Sequence, residues 1–432
     1  MRKNRRGRPL AEKRKWVLAE KMVSPMVTLF MCTSLVPTVG APAAVDHRTL
    51  LGQHLVGYQG WFGCPGDQPR SGWYHWSRAG QNPSADTLTV DMWPDTSELT
   101  PAERCATGLK LPSGEPAWLF SSANPLTVRR HFAWMRKYDI DGVALQRFAV
   151  ETVDPSHASR IDKVLANVRA AAEAEERGFL VMYDLSGMPA GKIVAAVEQD
   201  WQHLSVDLGV LKSPAYIHHR ERPVIGLWGP GFTSVALTPA EALELQRFFR
   251  AQGMTLLGGT PSHWRTLDGD SFNQPAWTEV YRGYDVISPW LVGRMASPAD
   301  ADHFAASVMV EDISATKRTG QDYMPVIFPG FSWHNLKERQ TPLDQIPRRC
   351  GAFYREEVAD ALRAGAQMLY TAMFDEVDEG TAIFKVDRTP AALPTGVELL
   401  APDSAACDPA TDLYLRTAAA ATRALRASTE RR

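Results

Sequence analysis

Eight short apolar runs recur along the chain, and each of them ends in Gly, an aromatic residue or a polar residue. They are HLVGYQGWFG from His54, GVALQRF from Gly142, FLVMYDLSG from Phe179, PVIGLWGPGF from Pro223, MTLLGGTPS from Met254, DVISPW from Asp285, YMPVIFPGFSW from Tyr323 and MLYTAMFDE from Met368. Continuous apolar character, without alternation, is typical of strands that are buried on both faces. The runs therefore predict eight strands of a parallel sheet.

The segments between the runs place apolar residues at intervals of three and four, which predicts helices. These segments are LTVRRHFAWMRKYD, ASRIDKVLANVRAAAEAEERG, AGKIVAAVEQDWQHL, TPAEALELQRFFRAQG and REEVADALRAGAQ. One start is well marked, since Thr238 is a suitable cap, with Pro239 and Glu241 following in the first turn. Strand and helix alternating through eight units predict a single (β/α)8 TIM barrel of the α/β class. A doubly wound open sheet is the alternative, but GYQGWFGCPGD lacks the spacing of a phosphate loop.

A long loop after strand 1 is the main departure from an even barrel. It runs for roughly sixty residues from Cys64 to Pro125 without an obvious helix or strand, and such loops are usually functional or disordered. Trp73, Trp76 and Trp93 favour an ordered, functional loop. We predict one barrel domain over residues 45–432, closed by an amphipathic helix in DLYLRTAAAATRALRA.

The first 44 residues have the composition of a secretory signal peptide. A basic stretch, MRKNRRGRPLAEKRK, precedes the apolar MVSPMVTLFMCTSLVPTVG and the small residues APAA. The apolar stretch is too short and too polar for a membrane span, and a cytosolic protein with a basic tail is the alternative. Removal of residues 1–44 would change the formal charge from −2 to −9, because nine Lys/Arg and two Glu would leave. Such an acidic chain argues against nucleic acid as a partner.

Four cysteines, Cys64, Cys105, Cys350 and Cys407, follow the predicted leader. An exported chain could pair them as Cys64 with Cys105 and Cys350 with Cys407, and four buried thiols are the equal alternative.

The residues that follow each predicted strand would share one mouth, because the loops at the C-terminal ends of barrel strands face the same side. This argument places Gln59 at the mouth and selects as sugar-binding candidates Tyr58, Trp61, Gln146, Arg147, Tyr183, Asp184, Trp228, Trp290, Trp333 and His334, to which the long loop adds His75 and Trp76. Aromatic planes beside hydrogen-bonding groups suit an oligo- or polysaccharide. For a single Trp core packing is the alternative, and Arg147 could equally anchor a neighbouring carboxylate.

The segment TAMFDEVDEGTAIFK places four carboxylates directly after the last apolar run. Glycosidic cleavage needs two carboxyl groups, one protonated and one ionised, and crowding raises the pKa of one of them. Glu376 and Glu379 are the predicted catalytic pair, with Asp375 and Asp378 directed to the barrel wall or to solvent. Asp184 is placed to hold a sugar hydroxyl. A calcium site and a solvated acidic turn are the alternatives.

The ordered set GYQGWF, DGVALQRF, VMYDLSG, VISPW, PVIFPGFSWHN and FDEVDEGT resembles bacterial proteins of glycoside hydrolase families 71 and 99. The resemblance extends from about His54 to Lys385. It implies a metal-independent, retaining (β/α)8 enzyme without a cofactor. The family motif Asn-Glu-Trp-His-Glu-Gly-Thr aligns with Asp375 to Thr381, so Asp375, Val377 and Asp378 replace its Asn, Trp and His.

The resemblance also implies roles for the two glutamates. Glu376 would be the base on the sugar's own 2-hydroxyl, giving a 1,2-anhydro sugar, and Glu379 the general acid and then base. The predicted function is therefore a secreted retaining glycoside hydrolase. A non-catalytic carbohydrate-binding barrel and a metal-assisted hydrolase are the alternatives.

Overall fold

The computed structural model describes residues 45–68, 71–401 and 407–431. The predicted signal peptide, residues 1–44, lies outside the described residues. Within them no helix combines the length and the apolar character that crossing a membrane requires.

The strands of the described residues, in chain order, are β1 (His54–Tyr58), β2 (Cys105–Lys110), β3 (Pro116–Leu119), β4 (Gly142–Phe148), β5 (Gly178–Asp184), β6 (His218–His219), β7 (Arg222–Trp228), β8 (Thr255–Thr260), β9 (Val286–Pro289), β10 (Asp322–Tyr323), β11 (Val326–Ile327) and β12 (Leu369–Thr371). The α-helices are α1 (Pro125–Lys137), α2 (Ala149–Thr152), α3 (Pro155–Glu175), α4 (Ile193–Gln202), α5 (Pro239–Ala251), α6 (Ala276–Arg282), α7 (Pro298–Phe304), α8 (Val310–Thr319), α9 (Ala352–Ala364) and α10 (Leu413–Thr429).

The main sheet is a ring of parallel strands. Its order is β10-β9-β8-β7-β5-β4-β1-β12-β11, and β10 and β11 are two halves of one interrupted strand. The first half pairs with β9 and the second with β12, while Pro325 lies between them and lacks the N–H that a continuous ladder needs. The predicted (β/α)8 barrel is therefore confirmed, and every predicted run forms a strand of the ring.

The strands of the ring are buried on both faces, as their continuous apolar character predicted. Inside the barrel side chains pack, and outside it the helices cover the strands. At the N-terminal end of the ring, Nδ1 of His54 lies 2.9 Å from Oγ1 of Thr422 in α10. Nε2 of the same ring lies 2.7 Å from Oγ1 of Thr371 in β12. The helix predicted in DLYLRTAAAATRALRA thus connects to both the first and the last strand of the ring.

The excursion between β1 and α1 contains regular structure that the sequence analysis missed. Strands β2 and β3 form a separate antiparallel pair within it. Trp73, Trp76 and Trp93 are all buried, so the prediction of an ordered segment is confirmed. Trp76 also donates its indole N–H to the carbonyl of Phe120, at 2.8 Å.

Both proposed disulfides are present, and the alternative of four buried thiols is wrong. Cys64–Cys105 spans the excursion, with a sequence separation of 41. Cys350–Cys407 joins the start of α9 to the segment before α10. The first bond therefore closes a loop within the excursion, and the second ties the chain before α9 to the chain before α10.

Candidate active site

A cleft of about 630 Å³ opens at the C-terminal ends of the barrel strands. Eight predicted site residues line it, namely Trp61, Gln146, Asp184, Trp228, Trp290, Trp333, Glu376 and Glu379. They come from different strands or from the loops that follow them. The register of the parallel strands places these strand ends at the same height along the barrel axis. Asp184, for example, pairs with Phe148 on one side and with Trp228 on the other.

Four indoles make the cleft strongly aromatic. Trp228 stacks on Phe232 with ring centroids 4.8 Å apart, and its edge meets Trp290 at 5.6 Å. Trp61 stacks against Phe148 at 5.3 Å. Flat rings of this kind suit the apolar C–H faces of a sugar, while the carboxyl groups below them suit its hydroxyls.

The loop that carries Trp333 is held by a buried aspartate that the sequence analysis did not single out. Asp91 accepts hydrogen bonds from the hydroxyl of Ser332 and from the backbone N–H groups of His334 and Asn335, at 2.5, 2.6 and 2.8 Å. Three donors on one carboxylate fix the backbone on both sides of Trp333. The indole position is thus set by a contact between distant parts of the sequence.

Tyr58 and Trp76 are buried away from the cleft wall. The hydroxyl of Tyr58 lies 2.9 Å from Nδ1 of His131. Both aromatic side chains pack in the core behind the site.

Arg147 and Tyr183 form a buried polar network rather than lining the cleft. The guanidinium of Arg147 contacts Asp200 at 2.6 Å and Asp162 at 2.7 Å, and the hydroxyl of Tyr183 donates to Asp200 at 2.6 Å. Of the two roles considered for Arg147, the structure places it as the anchor of carboxylates.

His334 and His75 also point away from the cleft. Nδ1 of His334 lies 2.6 Å from the carbonyl oxygen of Thr341, and its Nε2 lies 3.1 Å from Glu398. His75 packs directly behind Trp61 and borders a neighbouring cavity of about 710 Å³.

The acidic segment turns back sharply as it leaves β12. The backbone N–H of Phe374 donates to Gly57 in β1, and those of Thr381 and Ala382 donate to the carbonyl of Glu376. Gly380 has φ +63°, and a Cβ there would lie 2.8 Å from the backbone nitrogen of Ser332. Glycine is therefore required for the chain to fold back past the loop of Trp333.

Asp375 is fully buried and bound by the backbone after β1. Its carboxylate oxygens accept hydrogen bonds from the N–H groups of Gln59 and Gly60, at 2.8 and 2.9 Å. Burial raises its pKa to about 7, although these two bonds lower it. Asp375 thus points to the barrel wall, as one of the two predicted orientations had it.

Glu376 reaches the floor of the cleft with both oxygens occupied. The side-chain amide of Gln59 donates to Oε1 at 2.8 Å, and the hydroxyl of Thr381 donates to Oε2 at 3.0 Å. Burial, followed by the charges of Glu379 and Asp378, raises its pKa well above the ordinary value. Each oxygen of this carboxyl group thus has one hydrogen-bond donor.

Glu379 and Asp378 complete the acidic cluster. Burial and then Asp378 raise the pKa of Glu379 to about 7, while Lys337 lowers it. Burial raises the pKa of Asp378 to about 8. Across the cleft, burial raises the pKa of Asp184 to about 6. Since Asp375, Glu376 and Asp378 are all buried, the alternative of a solvated acidic turn is wrong.

Several residues of the cleft were not among the predicted site residues. Gln59 was placed at the mouth by the sequence but was not assigned to the site. The other unpredicted lining residues include Phe148, Phe232, Phe331, Gln345, Ile346 and Met373. Phe148 directly follows the strand-end pair Gln146-Arg147, so its place at the mouth could have been predicted from the sequence. Gln345 and Ile346 lie in a loop whose sequence does not indicate that it reaches the cleft.

A further cluster of carboxylates lies on α7 and α9, before the acidic segment in the sequence. Asp302, Glu356 and Asp360 bring one oxygen each within 4.8 Å of the others. The guanidinium of Arg363 forms ion pairs with all three, so a cation already occupies the centre of this cluster.

Comparison with known proteins relates the fold to sugar-cleaving enzymes. The structure of the GH99 endo-alpha-mannosidase from Bacteroides thetaiotaomicron matches with a TM-score of 0.63 and 16% identity, over 88% of this chain and 100% of that one. The chain has the fold of that enzyme. A second structure of a Bacteroides GH99 endo-alpha-mannosidase, in complex with bis-tris-propane, matches with a TM-score of 0.62 and 16% identity, over 89% and 100% of the two chains.

A solved structure described as a glycoside hydrolase-like protein matches more distantly. Its TM-score is 0.51 at 13% identity, over 79% of this chain and 95% of that one. No protein-family model and no curated protein matches the sequence. The GH99-like barrel is therefore established by structure rather than by sequence identity.

Proposed function

We propose that the protein is a secreted, retaining glycoside hydrolase in which Glu376 and Glu379 act on a glycan or polysaccharide. The observation that carries the proposal is the placement of these two carboxyl groups in one aromatic cleft of about 630 Å³. A glycosidic bond needs one carboxyl group that gives a proton and one that takes a proton, and the cleft presents both. The shared barrel fold of the GH99 endo-alpha-mannosidase supports this assignment.

Glu379 is the proposed general acid. Burial and the neighbouring Asp378 raise its pKa to about 7, so a large part of it is protonated at neutral pH. That proton would pass to the glycosidic oxygen as the bond to the anomeric carbon breaks. In the second step the resulting carboxylate would take a proton from the attacking water.

Glu376 is the proposed base. Gln59 and Thr381 hold its two oxygens and so orient the carboxyl group, and the hydrogen bond from Thr381 opposes the rise in pKa that burial and the neighbouring carboxyl groups cause. It would take the proton of the sugar's 2-hydroxyl as that oxygen attacks the anomeric carbon, giving a 1,2-anhydro sugar. When water opens this ring at the anomeric carbon, the proton would return to the 2-oxygen. Two inversions at one carbon give net retention.

The protonation of each carboxyl group in the acidic cluster depends on the charge of its neighbours. Glu379 and Asp378 raise the pKa of Glu376, Asp378 raises that of Glu379, and burial raises all three. Repulsion among close carboxylates keeps part of the cluster protonated near neutral pH, as an acid catalyst requires. The same repulsion makes the floor of the cleft unfavourable for a carboxylated sugar at the point of cleavage.

Export is part of the proposal. Residues 1–44 would be the removable leader and residues 45–432 the single catalytic domain. The two disulfides, Cys64–Cys105 and Cys350–Cys407, support an oxidising compartment, because such bonds are rare where thiols are kept reduced.

The test is turnover of a glycan panel that includes α-mannans, with the wild type, Glu379→Gln and Glu376→Gln. Loss of a positioned acid or base costs about 100-fold or more in kcat, and we expect that loss for both variants. Glu244→Gln, an exposed position on α5, is the matched control and should retain full activity. Retention is read from the anomer first formed, by proton NMR.

Two outcomes would contradict the proposal. Undiminished turnover by Glu379→Gln, on a glycan that the wild type cleaves, would remove the acid from its assigned position. Glycan binding without any turnover, surviving both substitutions, would instead identify a carbohydrate-binding barrel.

A further inference from the structure

Asp378 is a buried carboxyl group that enters the proposed mechanism only through its effect on the pKa of Glu376 and Glu379. Its residue is 1% exposed, and it stands between the two proposed catalytic glutamates in the sequence. One oxygen, Oδ1, has no hydrogen-bond partner among the described residues. The other, Oδ2, lies 3.3 Å from Nδ1 of His75. The closest side-chain partner of Asp378 therefore comes from the long excursion after β1.

His75 is held in place by its own loop. Its φ is +57°, a left-handed conformation that costs free energy for a residue with a Cβ. The hydroxyl of Thr89 donates to its carbonyl at 2.6 Å, and the next residue, Trp76, is anchored in the core. Such conformations persist where the surroundings determine them strongly, and they concentrate at functional sites.

The imidazole of His75 supports the back of a cleft residue. It stacks on the indole of Trp61 with ring centroids 3.9 Å apart and planes 7° from parallel. Trp61 lines the cleft together with Phe148. Asp378, His75 and Trp61 thus form a continuous path from the acidic floor of the cleft to its aromatic wall.

The contact between Asp378 and His75 is a hydrogen bond in a buried environment that disfavours charge on either group. Burial lowers the pKa of His75 to about 3, while Glu151 raises it and Arg160 lowers it. Burial raises the pKa of Asp378 to about 8, and Asp91 raises it further. A hydrogen bond of this kind fixes the angle of the imidazole without requiring an ion pair.

We propose that Asp378 is a positioning residue that acts through His75, fixing the Trp61 indole as one wall of the sugar-binding cleft. The hydrogen bond sets the plane of the imidazole, and the stacked imidazole sets the plane of the indole. Asp378 stands where the family motif has a histidine, and in this chain its histidine partner is His75, from the excursion after β1. The expected change in KM rests on the proposed function, whereas the expected change in the position of the Trp61 indole does not.

The structural test uses protein labelled with 5-fluorotryptophan and observed by fluorine NMR. The resonance that disappears in Trp61→Phe is that of Trp61. We expect it to shift or broaden in Asp378→Ala and in His75→Ala, because each removes the support of the indole. Asp378→Asn should restore the wild-type resonance, since an amide also bonds to Nδ1. Asp86→Ala, at an exposed position, is the control and should change nothing.

The kinetic test uses α-mannan oligosaccharides as the probe. Asp378→Ala and His75→Ala should each raise KM by about threefold or more, because a displaced indole loses part of its stacking with the sugar. Adding Asp378→Ala to His75→Ala should raise KM no further, because the contact is already lost. A merely structural role would not produce this dependence of one substitution on the other.

The outcomes separate this inference from the proposed function. An unchanged Trp61 resonance in Asp378→Ala, or in His75→Ala, would overturn the inference, whether or not any glycan is cleaved. If turnover is absent but the resonance responds, the proposed function fails and the positioning role stands. Should Asp378→Ala not fold, Asp378→Leu takes its place, because leucine fills a similar volume but cannot form the hydrogen bond to His75.

Discussion

Four acidic residues in five positions have different environments because each meets different donors. Asp375 is bound by two backbone N–H groups, Glu376 by an amide and a hydroxyl, and Asp378 by an imidazole. Glu379 is the member that remains partly exposed in the cleft. A carboxyl group with fixed donors is oriented, whereas one without them is free to approach a substrate and exchange its proton.

Asp375 predicts a pH dependence of stability. Burial raises its pKa from 3.8 to about 7 in the folded protein, so between these values the folded state binds a proton that the unfolded state has released. Its contribution to the free energy of unfolding therefore falls as pH rises through that window. Asp375→Asn should remove this contribution, so the melting temperature of the variant should decline less than that of the wild type between pH 5 and pH 8.

The measurement is thermal unfolding at both pH values, and the quantity compared is the difference between them. Asp86→Asn removes a carboxylate from an exposed position and should keep the wild-type difference. An identical pH dependence in Asp375→Asn and the wild type would show that Asp375 does not hold the proton.

The sequence predicted which residues reach the cleft better than which residues hold them. Glu376, Glu379 and the four indoles follow directly from strand ends. The partners of Asp375 could not be predicted, because Gln59 and Gly60 lie far away in sequence and meet it only after β1 pairs with β12. The same holds for Arg147, whose apparent exposure at a strand end is removed by Asp200 from α4.

At the scale of elements, hydrophobic pattern predicted type and order correctly. All eight runs form strands because burial on both faces demands an unbroken apolar sequence, and that demand is visible locally. The hairpin β2–β3 was missed because its burial alternates irregularly over short polar strands. The interruption at Pro325 was missed as well, since the run around it is apolar throughout.

The start of α5 tests whether capping residues that are close in the sequence stabilise a helix of this protein. The hydroxyl of Thr238 accepts a hydrogen bond from the backbone N–H of Glu241, and the Glu241 carboxylate accepts one from the N–H of Thr238. Thr238 is exposed, so its replacement removes the cap and little packing. Thr238→Ala should lower the free energy of unfolding by about 1 kcal/mol in a urea titration.

Thr238→Ser is the matched variant for this cap. Serine keeps the accepting hydroxyl and should unfold close to the wild type. If serine and alanine destabilise equally, the cap is not what the threonine contributes.

At the scale of the molecule, the barrel supplies the floor of the site and the excursion after β1 supplies the support of one wall. Within the excursion, Cys64–Cys105 closes the loop that carries His75 and Trp76. The second disulfide, Cys350–Cys407, lies at α9 instead. The molecule thus separates a bond that secures the site from one that secures the scaffold.

This separation predicts different effects of removing each bond. Cys64→Ala with Cys105→Ala should lower the free energy of unfolding by about 2–5 kcal/mol, since the unfolded chain gains freedom. It should also shift the fluorine resonance of Trp61, because the loop of His75 is released. Cys350→Ala with Cys407→Ala should destabilise too but leave that resonance in place.

Thermal unfolding and the fluorine spectrum together check this prediction. Equal resonance shifts in the two double variants would contradict the division of roles. Unchanged unfolding in both would show that the bonds add no stability.

The seating of β1 between β4 and β12, with α10 against His54, gives the ring an order of assembly. During synthesis β4 follows β1 closely, but β12 and α10 emerge much later, so the first strand keeps an open edge until nearly the whole barrel has been made. The ring then closes in one late step. For the export that we propose, this order of strands would delay closure of the ring until β12 and α10 are available.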